Sequence, residues 1–363
     1  MISVIVPSYN SSDYLDLTLA AFVIQSYRDY EVIVVDDGST DATPEVARRY
    51  AGKLPLKYVS QDNRGRAGAR NTGLQHAAGE IVLFNDDDRL PAPNLLQAHV
   101  QAHRTGNEVV IGQRGRVLSV LKKELPLRGG EFARVLKDHS VTAEEVERGE
   151  KRSLICPEDL QAQFESVIAR ARLEDEDWNT PKILGAYSNE LKGYHFAWAL
   201  GTTANLSVAR EAVLKAGAFD ENYRGWGMED VDLAYRLHQM GIHFVIAEQA
   251  LNYHQVHPLR SGGTGNFPKE ELFNNFAYFC RKYDTLECYF FWKCFDLDQA
   301  GQWAKLDPIS ANTVMGKFLE MNDALVSQTL LETYREFLTQ SLSFYRIVNR
   351  IKTPRAAAVE ASE

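Results

Sequence analysis

The sequence predicts an α/β fold: a mostly parallel sheet flanked by helices, with a helical insertion and a helical C-terminal extension. Three observations carry this reading. Short β-branched runs alternate with helical stretches over residues 2–110. These runs are apolar without polar alternation, the pattern of strands covered on both faces. Clusters of polar residues, Ser8-Tyr9-Asn10, Asp36-Asp37-Gly38-Ser39 and Asp86-Asp87-Asp88, directly follow three of the runs, at the carboxyl end where such sheets bind ligands.

Taken in order, ISVIVPS (2–8) leads into a helical stretch at 12–26, EVIVVDD (31–37) into 41–52, LKYVSQ (56–61) into 66–78, and EIVLFND (80–86) into 92–105, before EVVIG (108–112). From 116 to 195 the pattern turns charged and helical, with EFARVLKDHS and the acidic LEDEDW. Strand patterns return in ANLSVAR (204–210) and HFVIAEQA (243–250), which are expected to rejoin the same sheet. Between them a helix starts near Glu229 and carries Leu233, Leu237 and Met240 on one face. The expected divisions are 1–115, 116–195, 196–262, a helical 263–353 and a disordered tail at 354–363.

Composition narrows the functional classes. Lys and Arg number 40 against 49 Asp and Glu, a net charge of −9 without basic runs, so a nucleic-acid partner is not expected. Cys156, Cys280, Cys288 and Cys294 lack zinc-site spacing, and a chain of this size does not need disulfide staples, which favours a reducing cytoplasm. No charged leader precedes Ile2, and no apolar stretch reaches the roughly 18 to 20 residues that span a bilayer. The aromatic stretch 288–295 leaves two readings, internal helix packing or a peripheral contact with a membrane's inner face or a partner. Oligomeric state is not encoded in any readable motif.

The acidic triplet Asp86, Asp87 and Asp88 raises its own proton affinity and repels itself unless solvated or bound to a cation. A hard divalent ion, Mn²⁺ or Mg²⁺, suits it, and such ions complete their shells with water and substrate phosphates. Taken alone, a solvent-facing capping turn before Pro91 explains the triplet equally well. In VVDDGSTD, Asp36 and Asp37 can accept from a nucleobase N–H or ribose hydroxyls, while a plain strand-turn-helix connection also explains Gly38, Ser39 and Asp41. NRGRAGARNTG sets Arg64, Arg66 and Arg70 among glycines at a helix start, which suits a phosphate or nucleoside, and it lacks the Lys-Ser/Thr ending of a P-loop.

Further on, Gly225-Trp226-Gly227 precedes Glu229, Asp230 and Asp232 at a helix start, where the dipole is expected to keep carboxylates ionised. A carboxylate there can act as general base on an acceptor hydroxyl, and Trp226 can stack on a sugar face; the alternative is an ordinary cap with a core tryptophan. His254 and His257 follow the last strand, and a neutral imidazole can complete a metal site begun by the aspartates.

With VPSYN, VDDGSTD, NRGRAGARNTG, FNDDDRL and GWGMEDVDL in this order over roughly residues 2 to 258, the chain resembles the inverting nucleotide-sugar transferases of glycosyltransferase family 2. Their fold is GT-A, a Rossmann-like sheet. GWGMED followed by YHQ resembles the subset that shares a galactosyltransferase-type C-terminal half with chondroitin polymerases and polypeptide N-acetylgalactosaminyltransferases. The resemblance implies a nucleotide-sugar-binding half at 1–115 and an acceptor and catalytic half at 196–262, with 116–195 on the acceptor side. It implies Pro7, Tyr9, Asp37 and Arg66 around the nucleoside, with Asp86, Asp87 and Trp226 also contacting the donor. Asp86, Asp87, Asp88 and His254 would hold Mn²⁺ or Mg²⁺, and Asp230, with Glu229 beside it, would be the catalytic base.

The family's common form reads Leu-Asp-x-Asp-Asp, so Asn85 stands where the first Asp would be. Either Asp87 is then the principal ligand or the motif has shifted to Asp86 and Asp88. The implied activity is metal-dependent transfer of a sugar, with inversion, from a nucleotide diphosphate donor such as a UDP-sugar to a hydroxyl of a glycan, lipid-linked or peptide acceptor. Two other classes compete. A sugar-nucleotide nucleotidyltransferase would carry a Gly-rich basic signature after its first strand, which VPSYNSSDY lacks, and a non-catalytic nucleotide-sugar scaffold would have no use for Asp230, His254 and the triplet together.

Overall fold

Ile2–Ser8 forms β1, buried along its length except at Pro7, and its interior Ser3 is satisfied by donating to Glu31 at 2.6 Å. The predicted alternation then follows: α1 (Ser12–Val23), β2 (Tyr30–Asp36), α2 (Thr43–Tyr50), β3 (Leu56–Ser60), α3 (Gly65–His76) and β4 (Ile81–Phe84). Next come β5 (Arg89–Pro91), α4 (Leu95–Ala102) and β6 (Glu108–Val117). The inserted segment holds β7 (Val120–Leu121), α5 (Gly129–Asp138), α6 (Ala143–Arg148), β8 (Arg152–Ser153), α7 (Pro157–Ala162), α8 (Phe164–Ala171), β9 (Arg172–Leu173) and α9 (Thr180–Tyr187). The chain returns through β10 (Leu206–Ala209), α10 (Arg210–Lys215), α11 (Glu229–Gln239) and β11 (His243–Gln255), and continues into α12 (Lys269–Tyr283), α13 (Leu286–Cys294) and α14 (Pro308–Met321).

The structure, a computed structural model, describes residues 1–104, 106–122, 125, 129–148, 151–174, 180–257, 269–294, 308–321, 327–336 and 338–340. The tail at 354–363 and residues 263–268 lie outside them. The chain forms two compact units, Met1–Lys269 and Glu270–Glu363.

In the first unit one nine-stranded sheet has the order β3-β2-β1-β4-β10-β6-β11-β5, with β9 on β6. β1 is parallel to β2 and β4, β2 to β3, and β6 to β11, while β10 is antiparallel to both β4 and β6. β4 and β6 therefore point the same way, and β1, β2, β3, β4, β6 and β11 share one direction. The run EVVIG does not pair with β4, because β10, arriving about a hundred residues later, fills the place between them. β5 was not legible in sequence. Three residues carry no periodicity, and Pro91 is tolerated there because β5 is an edge strand pairing only with β11.

One face of the sheet is covered by α1 and, beside it, the inserted α7 and α8. Leu15, Leu19 and Phe22 join Leu160, Phe164 and Ile168 over Val4, Val6, Val32 and Val34 in a continuous buried cluster. Each such side chain contributes about 1.5–3 kcal/mol on burial, so this part of the insertion is core rather than appendage. On α11, Leu233 and Leu237 are buried as the periodicity demands; Met240 lies beyond the last helical turn and is 38% exposed. In the second unit Phe273 meets Trp292 and Phe276 meets Phe291 at ring separations of 6.2 and 5.7 Å. Tyr289, Phe290, Phe291 and Trp292 are buried, so the aromatic stretch packs internally. Among the described residues no helix is long and apolar enough to cross a membrane.

α3 approaches β1 closely enough that a Cβ on Gly73 would stand 2.4 Å from Cγ2 of Ile5. Glycine to alanine in a helix normally gains about 1 kcal/mol, but overpacking costs about 1–3 kcal/mol. Gly73→Ala is expected to lower the urea midpoint. A raised midpoint would show that β1 and α3 separate freely.

Candidate active site

The chain leaves β1 toward β2 on one side and returns to β4 on the other, so a crevice opens at the carboxyl ends of these three strands. Two loops at this crevice are stitched together. Asp41 accepts from the Ser12 amide at 2.9 Å and from Thr43, and the Asn10 amide donates to Ser39 Oγ at 2.9 Å. Asn10 takes the left-handed conformation, φ 49°, that lets this happen. Asp36 accepts from the Ser39 amide and, at 2.5 Å, from the Tyr58 hydroxyl. The Asp37 carboxylate accepts from Gln61 Nε2 at 2.7 Å and from the Arg64 and Gly65 amides, both at 2.8 Å, fixing the first turn of α3 where the helix dipole favours an anion. Pro7 and Tyr9 border this floor, Tyr9 being 42% exposed, and Arg66 is exposed on α3.

The acidic turn after β4 is held by its backbone. Asn85 Nδ2 donates to the carbonyls of Asp86 and Arg89 at 2.9 and 3.1 Å, while its Oδ1 accepts from Asn252. The Asp87 carbonyl accepts from the Thr18 hydroxyl, and the Asp88 carbonyl from the Gln255 amide, each at 2.9 Å. With the carbonyls engaged, the carboxylates diverge to different partners. Asp86 meets Arg70 at 3.0 Å, Asp87 is buried, and Asp88 lies 3.0 Å from His257 Nε2 and 3.7 Å from His254 Nε2. Burial opposes ionisation of Asp88, but His254, His257 and Arg89 outweigh it and hold the carboxyl well below its ordinary value. Burial first, and then Arg89, push His254 down, which favours the neutral imidazole that a metal ligand needs.

α11 presents the third component. Gly225, Gly227 and the non-glycine Met228 all have positive φ, 71°, 92° and 79°, a tight approach that delivers Glu229 and Asp230 to the crevice. Asp232, fully buried, accepts from Tyr223 and Arg236 and anchors this loop. Glu229 accepts from Arg70 Nη1 at 2.8 Å; Arg70, 3% exposed, thus bridges Glu229 and Asp86 and lies over the Phe219 ring. Trp226 is partly exposed on the loop.

Asp230 accepts from the Val231 amide at 2.8 Å and, more weakly, from the Thr203 amide at 3.4 Å. Burial, and then repulsion from Glu229, push its carboxyl up to about 6 against the pull of Arg70 and the backbone amides. The helix dipole therefore does not set its proton affinity alone: low solvation and a neighbouring carboxylate raise it. Asp230 is still mainly ionised at pH 7.

The donor set fits a divalent metal. Asp88, His254 and His257 each offer one ligand atom, all within 4.8 Å of one another. Among the residues predicted for the metal, Asp88 and His254 share this cluster, whereas Asp86 faces Arg70. His257 was visible in HQVH but was not predicted as a ligand; its three-residue spacing from His254 was the available signal. Arg70 belongs to NRGRAGARNTG, a motif that suits a phosphate or nucleoside, and nothing local in sequence announces its two carboxylate partners. Asn85, Asn252 and Gln255 went unassigned because buried amides carry no sequence signature.

Residues 3–142 match the family model for glycosyl transferase family 2, and residues 186–258 match the one described as the N-terminal domain of galactosyltransferase. The uncharacterized glycosyltransferase YfnE of Bacillus subtilis is 33% identical over 296 residues, 78% of this chain and 71% of YfnE. Chondroitin synthase of Escherichia coli is 28% identical over 295 residues, 79% of this chain but only 40% of that longer protein. Among solved structures, S. aureus TarS 1-349 in complex with UDP-GlcNAc superposes with a TM-score of 0.52 at 18% identity, covering 94% of this chain and 81% of that one.

The fold is of the GT-A type, and the family match and relatives make the chain a glycosyltransferase. The chain belongs to glycosyltransferase family 2, with a second half of the galactosyltransferase type.

Arg70→Met leaves Glu229 and Asp86 facing a buried void of positive charge, and breaking one side of a buried pair costs about 3–5 kcal/mol. Adding Glu229→Gln should recover part of that loss in chemical denaturation. Strict additivity of the two changes would show that the pair is not coupled.

Proposed function

We propose that the chain is a metal-dependent inverting glycosyltransferase, moving a sugar from a nucleotide diphosphate donor, a UDP-sugar, to a hydroxyl of a glycan, lipid-linked or peptide acceptor. The observation that supports this reading is the single Arg70 guanidinium that joins the acidic turn, at Asp86, to the helix start where Glu229 stands beside Asp230, a carboxylate of raised proton affinity.

In this reading Pro7, Tyr9, Asp37 and Arg66 surround the nucleoside. Asp37 acts mainly by shaping the α3 turn, and Arg66, exposed and cationic, faces the donor's phosphates. Asp88 and His254 would hold Mn²⁺ or Mg²⁺, which would stabilise negative charge on the leaving diphosphate, while Asp86 stays paired to Arg70. Asp230 takes the proton from the acceptor hydroxyl as its oxygen attacks the anomeric carbon opposite the leaving group, which inverts the centre. Glu229 stays paired to Arg70 and, by raising the proton affinity of Asp230, makes it a stronger base. Trp226 offers an aromatic face to a sugar ring.

Asp230→Asn is expected to leave sugar-nucleotide binding within a small factor while lowering turnover by about 10²–10⁴-fold. Steady-state rates and donor titrations separate the two effects, and undiminished turnover would exclude Asp230 as base.

The base must be ionised, so kcat/KM should fall as pH drops below about 6, the value to which Asp230 is raised. Stability changes in the opposite sense. Between about 4 and 6 the folded state keeps a proton that the unfolded chain has released, so this group's contribution to stability declines as pH rises through that window. A pH–rate profile and pH-dependent denaturation of wild type and Asp230→Asn read both; an acid limb that persists in the variant's residual activity belongs to another group.

A further inference from the structure

We infer that His99 is a positioning residue for the reaction: acting through the side chain of Asn205, it holds residues 202–205 against Asp230 and against the amides that support the acidic turn. This deepens the reading of Asp230 as the base and rests on it.

Residues 202–205 run just ahead of β10 and meet the site at two points. The Thr203 amide donates to Asp230 at 3.4 Å. The Ala204 carbonyl accepts at 2.7 Å from Asn252 Nδ2, which also donates to Asn85 Oδ1 at 2.9 Å. Asn205 anchors the segment to the sheet: its Nδ2 donates to the carbonyls of Gln113 on β6 and Ala250 on β11, at 2.8 and 2.9 Å, and its own carbonyl accepts from the Gly112 amide at 2.9 Å. A Cβ on Gly112 would stand 2.2 Å from Asn205 Nδ2, so β6 is bare where this amide packs.

With both Nδ2 protons given to carbonyls, the amide turns Oδ1 toward α4, and Oδ1 only accepts. His99 Nε2, 2.8 Å away, must therefore carry a proton. Its Nδ1 is then an acceptor, and the Ser207 hydroxyl, 2.8 Å from it, donates. Ser207 Oγ in turn accepts from Nε2 of His103, just past the end of α4, also at 2.8 Å. Each proton in the chain is thereby assigned, with both imidazoles neutral and protonated at Nε2. Burial favours that state: it pushes both rings down to about 4, against the Asn205 hydrogen bond at His99 and the charge of Glu108 at His103. His99 and Ser207 are fully buried, so an apolar residue at 99 could fill the same space. It could not fix which way the Asn205 amide faces.

The first readout needs neither a variant nor activity. Nitrogen-15 NMR of the wild-type chain at neutral pH should show His99 and His103 protonated at Nε2 alone, and a proton on His99 Nδ1 would overturn the inference. The second compares three substitutions. His99→Gln keeps an N–H within reach of Asn205, His99→Asn is too short to offer one, and His99→Leu has none. In the last two the Thr203 amide should drift from Asp230. The acid limb of kcat/KM should then move upward from about 6 by about 0.3–1 unit, the worth of one hydrogen bond. kcat should fall by up to about 100-fold, the cost of a misplacement of about 1 Å, with donor KM little changed. His99→Gln should recover most of both effects. The charged groups that face Asp230, Glu229 beside it and Arg70 from α3, are untouched by these changes.

Carbon-13 NMR of the Asp230 carboxyl reads the same shift without turnover. A wild-type midpoint in His99→Asn and His99→Leu, with melting temperature lowered alike in all three variants, would reduce His99 to core packing and overturn the inference. The expected shift in a chain that transfers no sugar would sink the transferase reading and leave the link from His99 to Asp230 standing.

Discussion

The buried guanidinium of Arg70 is the constraint on which the site depends. It ties together three segments remote in sequence: α3, the acidic turn after β4, and the start of α11. One cation meets two carboxylates, so the assembly keeps a surplus of negative charge in a poorly solvated place. Asp230, adjacent to Glu229, absorbs that surplus as a raised proton affinity. Burial is the larger cause and Glu229 the next, so the contact that assembles the crevice also bears on the proton affinity of the carboxyl beside it.

Neutral side chains perform the complementary task of holding the acidic turn without adding charge. Position 85 faces two carbonyl oxygens, those of Asp86 and Arg89, and an amide can donate to both. A carboxylate, which only accepts, would face them with like polarity. The departure from the family's Leu-Asp-x-Asp-Asp form is thus a local structural requirement in this chain. Gln255 serves similarly, donating to the Tyr14 carbonyl and Thr18 hydroxyl while accepting from Ser119, and so pins β11 to α1 beside Asp88, His254 and His257.

Most of the sheet was legible because a strand covered on both faces must be apolar throughout, and VIV, VIVV and IVLF are. β5 and the position of β10 were not legible: the first is too short for a period, and the second is decided by which crossover fills a gap, a tertiary matter. The carboxylates after the strands stood out as well, although each admitted a capping or turn role on its own. Their partnerships were not legible. Arg70 and Glu229 are 159 positions apart and Asp88 and His257 are 169 apart, and only the fold converts such separations into contacts of 3 Å or less.

The ordering of effects at Asp230 shows which force governs the site. A helix start favours an anion by about 0.3–1 kcal/mol, reaching about 2 kcal/mol when partly buried. Raising a carboxyl from its ordinary value to about 6 corresponds to about 3 kcal/mol in the opposite sense. Desolvation and Glu229 must therefore overcome the helix terminus, the Val231 amide and Arg70 together. The left-handed Met228 adds a backbone cost of about 1–3 kcal/mol in the same loop. Two destabilising features within three residues persist only where the surrounding structure holds them in place, here the fully buried Asp232 with Tyr223 and Arg236 and the Asn71 amide gripping the Phe219 carbonyl. The stability of α3 and α11 is spent on keeping one carboxylate uncomfortable. A relaxed loop would be more stable, but its carboxylate would be an ordinary one with a lower proton affinity.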